Sequence, residues 1–339
     1  MPVSLLEYDT VPENYVFPPG ERQKKLKASN KSIPVIDLAG QTHDEIVNQI
    51  LEAGKHLGIF QVVNHGMGSD VMSEMMRVSK EFFNLPFDER AIHYSEDIYK
   101  PVRLFTSTGV HDIVHFWRDC LRMSIYPVED FKQYWPENPS NLKDAVENYA
   151  RGSRKLSTTV LGLVAEGLGL DRNYFDGDLS GEPMASHINF YPPCPDPSLT
   201  LGLAKHCDPG LITLLLQGNV SGLQILHNDE WIAVDPVPDA IVVNYGHQME
   251  IVSDGMLKGV NHRAITNAEQ SRMSIATFIQ PSKECLIAPA EALHSEKNQP
   301  IYKRFHYREY FGNYVANLGD KEKSAKPFLV NFKEVEDSG

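Results

Sequence analysis

Cysteine is scarce: four residues in 339, at Cys120, Cys194, Cys207 and Cys285, with no CxxC pair. Disulfide scaffolds and zinc ribbons need closer sets than these. Free thiols in a reducing, cytoplasmic setting are therefore the expectation. Positive charge is also short, with 32 Lys plus Arg against 45 Asp plus Glu and a net charge of −13. A coat for DNA or RNA wants a basic face, so no nucleic-acid partner is expected. No apolar run approaches the roughly 20 residues of a membrane span, which argues against a membrane partner. The first thirty residues carry Pro18, Pro19 and a Lys-Lys-Leu-Lys run, not the continuous apolar core of a secretory signal. Internal repeats are absent too. What remains, at 42% apolar and 23% charged, is ordinary globular composition, and nothing in it asks for an obligate partner, so a monomer is expected.

Residues 1–33 read as an extended arm, and Ile33 to Leu38 as a short strand. A helix is predicted from about His43 to Leu57, with Ile46, Ile50, Leu51 and Leu57 on one face and Gly58 at its end. Ile59 to Asn64 reads as a strand, and Val71 to Phe83 and Leu142 to Leu168 as helices. From Ala185 onward the texture changes to short strand-like runs broken by Pro, Gly, Asn and Asp. They fall at about 185–191, 201–206, 211–217, 222–227, 230–234, 240–245, 248–253, 258–266 and 272–280. Ile301 to Tyr314, rich in aromatics, reads as a helix or lid. The expected fold is mainly β with α, a jelly-roll core carrying a packed helical layer. The expected organisation is a helical and strand region over 1–150, a core over 151–320 and a polar tail over 321–339.

Two imidazoles and a carboxylate on a rigid sheet can hold Fe(II) and leave coordination positions open. The matching pattern His-x-Asp/Glu occurs four times, at His43/Glu45, His206/Asp208, His227/Asp229 and His294/Glu296. His43 opens an exposed helix, His294 lies in a polar loop, and His227-Asn-Asp reads as a hairpin turn. His206 instead ends the strand LGLAKH and precedes a Pro-Gly turn, so His206 and Asp208 can point at one ion. His262, in KGVNHRAIT, is the candidate third ligand, expected in mid-strand. Ten residues on comes Arg272-Met-Ser274, and an Arg in an apolar strand is costly unless an anion neutralises it. Its planar fork suits a carboxylate, and Ser274 adds a hydroxyl from the same face. A keto-diacid such as 2-oxoglutarate could span from the iron to that pair. Asn189 and Tyr191 share a strand face as further donors, and His187 continues it. Phe278 and Gln280 continue the face of Arg272.

The series IPVIDL, GIFQVVNHG, NFYPPCP, HCDPGLITLLLQ, GLQIL, NHRAITN and RMSIATF resembles the plant 2-oxoglutarate- and Fe(II)-dependent dioxygenases of specialised metabolism, over nearly the whole chain. VPENYV, FWRDCLRMSIYP and FHYREYF look closest to the salicylate- and flavonoid-oxidising group and to the hyoscyamine hydroxylases. The resemblance implies a double-stranded β-helix and oxidation of a small organic substrate, such as an alkaloid, flavonoid or phenolic acid. O2 would be the oxidant, 2-oxoglutarate would be decarboxylated to succinate and CO2, and ascorbate would serve as reductant. It implies His206, Asp208 and His262 as iron ligands and Arg272, Ser274 and Tyr191 as co-substrate anchors, with Asn189 nearby. It places His187, Phe278, Gln280, Arg122, Phe105 and Cys120 along the organic substrate. Two departures stand out: Cys207 sits between the ligands where the family usually has a small hydroxyl residue, and His247 replaces a usual Asp. A structural role is expected for His247. Desaturation, O-demethylation or ring closure remain open beside hydroxylation. So do an iron oxidase of the same fold that uses no 2-oxoglutarate and a binding protein with a vestigial site.

Overall fold

Along the later strands, one set of alternate side chains packs under helices and the other faces a second sheet. The computed structural model describes residue 5 and residues 8–23, 32–106, 114–294, 299–317 and 320–330. Its strands are β1 (Val35–Asp37), β2 (Ile59–Val63), β3 (Val102–Phe105), β4 (Asp119–Tyr126), β5 (Met184–Tyr191), β6 (Leu203–His206) and β7 (Ile212–Gln217). They continue with β8 (Leu223–His227), β9 (Glu230–Ala233), β10 (Ile241–Tyr245), β11 (His262–Ala264), β12 (Arg272–Ile279), β13 (Leu286–Ile287) and β14 (Phe305–His306). The helices are α1 (His43–His56), α2 (Ser69–Asn84), α3 (Phe87–Ala91), α4 (Val128–Phe131), α5 (Leu142–Gly167), α6 (His247–Val252), α7 (Tyr307–Ala316) and α8 (Lys321–Ala325).

Eight strands form the major sheet in the order β1-β2-β10-β7-β12-β5-β4-β3, and four form the minor sheet in the order β6-β11-β8-β9. Apart from the parallel pair β1/β2, the pairings are antiparallel. The outer face of the major sheet packs Val243, Leu214, Ile275, Ile188 and Leu121 into one core with α1, α2 and α5. α1 starts at a capping box between Thr42 and Glu45, and Gly58 just past its end adopts φ +72°. α5 buries Val146, Tyr149, Ser153, Leu156, Val160 and Leu163 at three- and four-residue intervals, which is why it lies against α1 and α2. A second core lies between the sheets. Leu215 and Val242 from the major sheet there meet Leu223, Ile225 and Ile232 from the minor one. Two facing antiparallel sheets with a helical layer on one side make the jelly roll expected from the strand pattern.

Two strand expectations are overturned. Of 248–253, residues 248–252 belong to α6 and Ser253 caps it, so no strand forms there; a short run buried at nearly every position has no period to distinguish the two. Of 258–266 only His262–Ala264 pairs as a strand, with an irregular register against β6, so His262 opens its strand instead of sitting in the middle. The major sheet also takes β1 to β4 from the first 150 residues, and α5 runs across residue 150. In the arm, Tyr15 and Phe17 are buried against Trp117 and Phe116. Within 321–339, α8 and the turn after it bury Ala325 and Phe328, while 331–339 lie outside the described residues.

Candidate active site

β6 and β11 are neighbours, and their register sets His206 directly opposite His262. The two rings lie 4.2 Å apart between centroids. Asp208, two residues past β6, turns back so that its Oδ1 lies 3.5 Å from His206 Nε2 and 3.8 Å from His262 Nε2. Among the described residues this is the one cluster of three or more His, Cys, Asp or Glu able to share a metal ion. Of the other His-x-Asp/Glu pairs, His43 bonds Glu166 at the surface, Asn228 and Asp229 form the β8–β9 turn with positive φ, and Glu296 of the fourth pair lies outside the described residues.

Each donor is oriented from behind. His206 Nδ1 donates to the Ala204 carbonyl at 2.9 Å and His262 Nδ1 to the Val260 carbonyl at 3.1 Å, because a carbonyl can only accept. That fixes the tautomer and leaves both Nε2 lone pairs inward. Asp208 Oδ2 accepts from Thr213 Oγ1 at 2.5 Å and Asn244 Nδ2 at 2.9 Å, which frees Oδ1. Burial, followed by the neighbouring His206, pulls the His262 pKa down to about 4, so its imidazole is neutral at pH 7. Burial alone would raise the Asp208 carboxyl, but the adjacent imidazoles and the Thr213 hydroxyl outweigh it and hold the group well below the usual carboxylate range. The centre thus offers two imidazole nitrogens and one anionic carboxylate oxygen.

Arg272 opens β12 opposite Tyr191 of β5, and Ser274 lies opposite Asn189. The Arg272 side chain is buried, with its guanidinium 5.2 Å from the Tyr191 ring centre. Nη1 donates to Ser274 Oγ at 3.3 Å, whereas the buried Nε has no hydrogen-bond partner. Burial lowers its pKa, with Tyr191 opposing the shift. Asn189 is held by other partners: its Oδ1 accepts from Arg118 Nη1 at 2.7 Å, and its Nδ2 donates to the His187 carbonyl.

The remaining expected residues form a wall beside this. His187 packs 4.8 Å from Phe278 and 6.1 Å from Phe105, ring centre to ring centre. Cys120 lies opposite both Phe105 and Asn189, and Arg122 opposite His187. Gln280 follows β12 and accepts from the Tyr307 hydroxyl at 2.8 Å, which ties it to α7. His247 is fully buried and hydrogen-bonds Tyr310 at 2.8 Å, while its backbone N–H donates to the Asp208 carbonyl.

Residues 183–281 match the 2OG-Fe(II) oxygenase superfamily, and residues 33–143 match the family described as non-haem dioxygenase in morphine synthesis N-terminal. The chain is 44% identical over 331 residues to 2'-deoxymugineic-acid 2'-dioxygenase of Hordeum vulgare, covering 96% of each. It is 37% identical to hyoscyamine 6-dioxygenase of Hyoscyamus niger, covering 97% of this chain and 98% of the other. The solved structure of JOX2 in complex with 2OG, Fe and JA superposes with a TM-score of 0.84 at 30% identity, over 95% of both chains. The chain belongs to the 2OG-Fe(II) oxygenase superfamily. It is an Fe(II)- and 2-oxoglutarate-dependent dioxygenase of small metabolites.

Several groups in this oxygenase escaped the sequence reading. Thr213 and Asn244, which hold Asp208, carry no motif; only the register of β7 and β10 brings them there. Gly222 and Gly202 are needed for space. A Cβ at Gly222 would come within 2.7 Å of Arg272 Cδ, and one at Gly202 within 2.5 Å of Tyr191 Cδ1. These contacts also bring Arg272 and Tyr191 up to the minor-sheet side. Arg103 and Arg118 are buried beside the expected Arg122. The alternation Arg118-x-Cys120-x-Arg122 and Arg103-x-Phe105 could have shown that they share one strand face.

Proposed function

We propose that His206, Asp208 and His262 bind the iron of this dioxygenase and that Arg272, with Ser274 and Tyr191, receives the far carboxylate of 2-oxoglutarate. The observation that carries the reading is the partnerless Arg272 Nε: a buried guanidinium with no carboxylate on it among the described residues, beside three converging donor atoms with free lone pairs. Burying such a charge costs several kcal/mol unless an anion meets it, and a diacid reaching over from a metal centre is such an anion. The donor set fits Fe(II), since two imidazoles and one carboxylate leave positions for a bidentate keto acid and O2. When bound, iron and 2-oxoglutarate would activate O2 as the oxidant of a C–H bond, 2-oxoglutarate giving up two electrons as it is decarboxylated to succinate and CO2.

The chain's own residues supply position and shielding. The Ala204 and Val260 carbonyls keep both imidazoles turned inward, and Thr213 and Asn244 stop Asp208 from swinging away. Ser274 orients the Arg272 fork. Phe105, His187 and Phe278 offer a ring-lined wall for the organic substrate, with Cys120, Arg122 and Gln280 at its margins. Its near-neutral rings exclude water and favour a flat or cyclic metabolite of the alkaloid, flavonoid or phenolic-acid kind. The relative named for hyoscyamine supports that class, and the one named for deoxymugineic acid supports a small organic acid. Four buried free thiols support a reducing, cytoplasmic setting. The test is succinate formation with Fe(II), ascorbate and a panel of plant alkaloids, flavonoids and acids. Succinate released in step with one oxidised product is the expected result; product formed without 2-oxoglutarate would overturn the role given to Arg272.

A further inference from the structure

Three more arginines line the same interior with no ion pair among the described residues. Arg103 of β3 pairs with Arg122 of β4, Phe105 with Cys120, and Arg122 in turn with His187 of β5; Arg118 stands two residues before Cys120. Alternation puts Arg118, Cys120, Arg122, Arg103 and Phe105 on one face. Arg103 is 7% and Arg118 2% exposed. Their bonds are few. Arg103 reaches only the Ser95 carbonyl, at 3.5 Å, and stacks 4.0 Å from the Phe105 ring centre. Arg118 donates to Asn189 Oδ1, and Arg122 to the Lys100 carbonyl and Ser124 Oγ. The buried Nε atoms of Arg103 and Arg118 have no partner.

Among the described residues none of the three is in an ion pair. Asp97 and Glu182 act on Arg103 and Arg122 only through space, and Asp119, on the opposite face of β4, is engaged by Thr106 and Arg90. The cations therefore repel one another: burial, with Arg103 adding to it, lowers the Arg122 pKa. Burial and then the same three arginines push the His187 pKa well below its usual value, and Asp208 opposes the shift. In a chain with a net charge of −13, three cations are thus gathered on one face with no ion pair to any of them among the described residues. A fold tolerates this where an anion completes the site, and the guanidinium fork selects a carboxylate.

We propose that Arg103, Arg118 and Arg122 form a second anion pocket that receives a carboxylate of the organic substrate, whose carbon skeleton lies along Phe105, His187 and Phe278. The pocket is separate from the Arg272 anchor. His187, beside Arg122, and Tyr191, beside Arg272, are four residues apart on β5, roughly 13 Å along an extended strand. The inference rests on the assignment of this interior as the active site, and it narrows the substrate to small organic acids, excluding molecules whose buried end is a protonated amine.

The test uses protein loaded anaerobically with Fe(II) and saturating 2-oxoglutarate, so that Arg272 is already satisfied. Matched carboxylic acids and methyl esters, beginning with phenylpropanoate and extending through aromatic and aliphatic members, are compared by thermal-unfolding shift. Acids are expected to stabilise the protein and their esters not. Arg103→Met should reduce the acid-to-ester preference roughly tenfold or more, and Arg103→Lys should restore part of it. If no acid in the panel stabilises more than its ester, or if Arg103→Met weakens acid and ester alike, the pocket is not an anion site. A failure of iron or 2-oxoglutarate loading, measured first, would instead count against the assignment of the active site.

Discussion

Arg272→Met separates stability from co-substrate binding. Methionine approximates the length of the arginine stem and fills the space beside Tyr191, so little packing is lost. In the protein without 2-oxoglutarate, the wild-type side chain is a buried cation whose Nε has no partner, and replacing such a charge by an apolar group is neutral or stabilising. The melting temperature of the variant alone should therefore match or exceed that of the wild type. Binding should behave in the opposite way. Removing one partner of a buried, hydrogen-bonded charge pair costs about 3–5 kcal/mol. At about 1.4 kcal/mol per tenfold, the Kd for 2-oxoglutarate should rise roughly a hundredfold to a few thousandfold. A saturating ligand at about 100 times its Kd stabilises by about 2.7 kcal/mol, so the thermal shift on adding 2-oxoglutarate should largely vanish in the variant. Thermal unfolding with and without the ligand, backed by calorimetric titration, measures both quantities. A Kd within about threefold of the wild type would refute the reasoning, since effects that small lie in the range of rim contacts.

Other perturbations should act at distinct points. Asn244→Leu leaves Asp208 Oδ2 with Thr213 alone, and Fe(II) affinity should fall about 10- to 100-fold in an anaerobic metal titration. Gly222→Ala puts a methyl against Arg272 Cδ, so the KM for 2-oxoglutarate should rise while Fe(II) binding holds. Burial depresses the His247 pKa from 6.5 to about 4, which makes the native state bind protons less readily than the unfolded chain. Its contribution is present above pH 6.5 and lost as pH falls toward 4, at most about 3 kcal/mol. The wild type should therefore lose more stability than His247→Gln between pH 7.5 and pH 5 in denaturant titrations.

Much of this centre was readable because its chemistry lies close along the chain. His206 ends β6 and Asp208 follows it by two residues, while Arg272 and Ser274 are two residues apart on β12, where alternation puts them on a common face. What could not be read depends on register between distant strands. Nothing local says that Thr213 of β7 and Asn244 of β10 meet Asp208, or that Arg103 of β3 lies against Arg122 of β4. α6 was misread for a different reason: His247 to Val252, nearly all buried, carries neither the polar face of a surface helix nor the alternation of a half-exposed strand. Its N-terminal His247 is instead tied to Tyr310 of α7, a contact set by tertiary packing.

The most direct measurement is anaerobic Fe(II) binding by equilibrium dialysis, made on the wild type and on the separate alanine replacements of His206, Asp208 and His262, each checked for retained fold by circular dichroism. The wild type should bind iron one-to-one, and each replacement should weaken it severely. Wild-type protein that takes up no iron, or an alanine variant that still binds it stoichiometrically with undiminished affinity, would contradict the account.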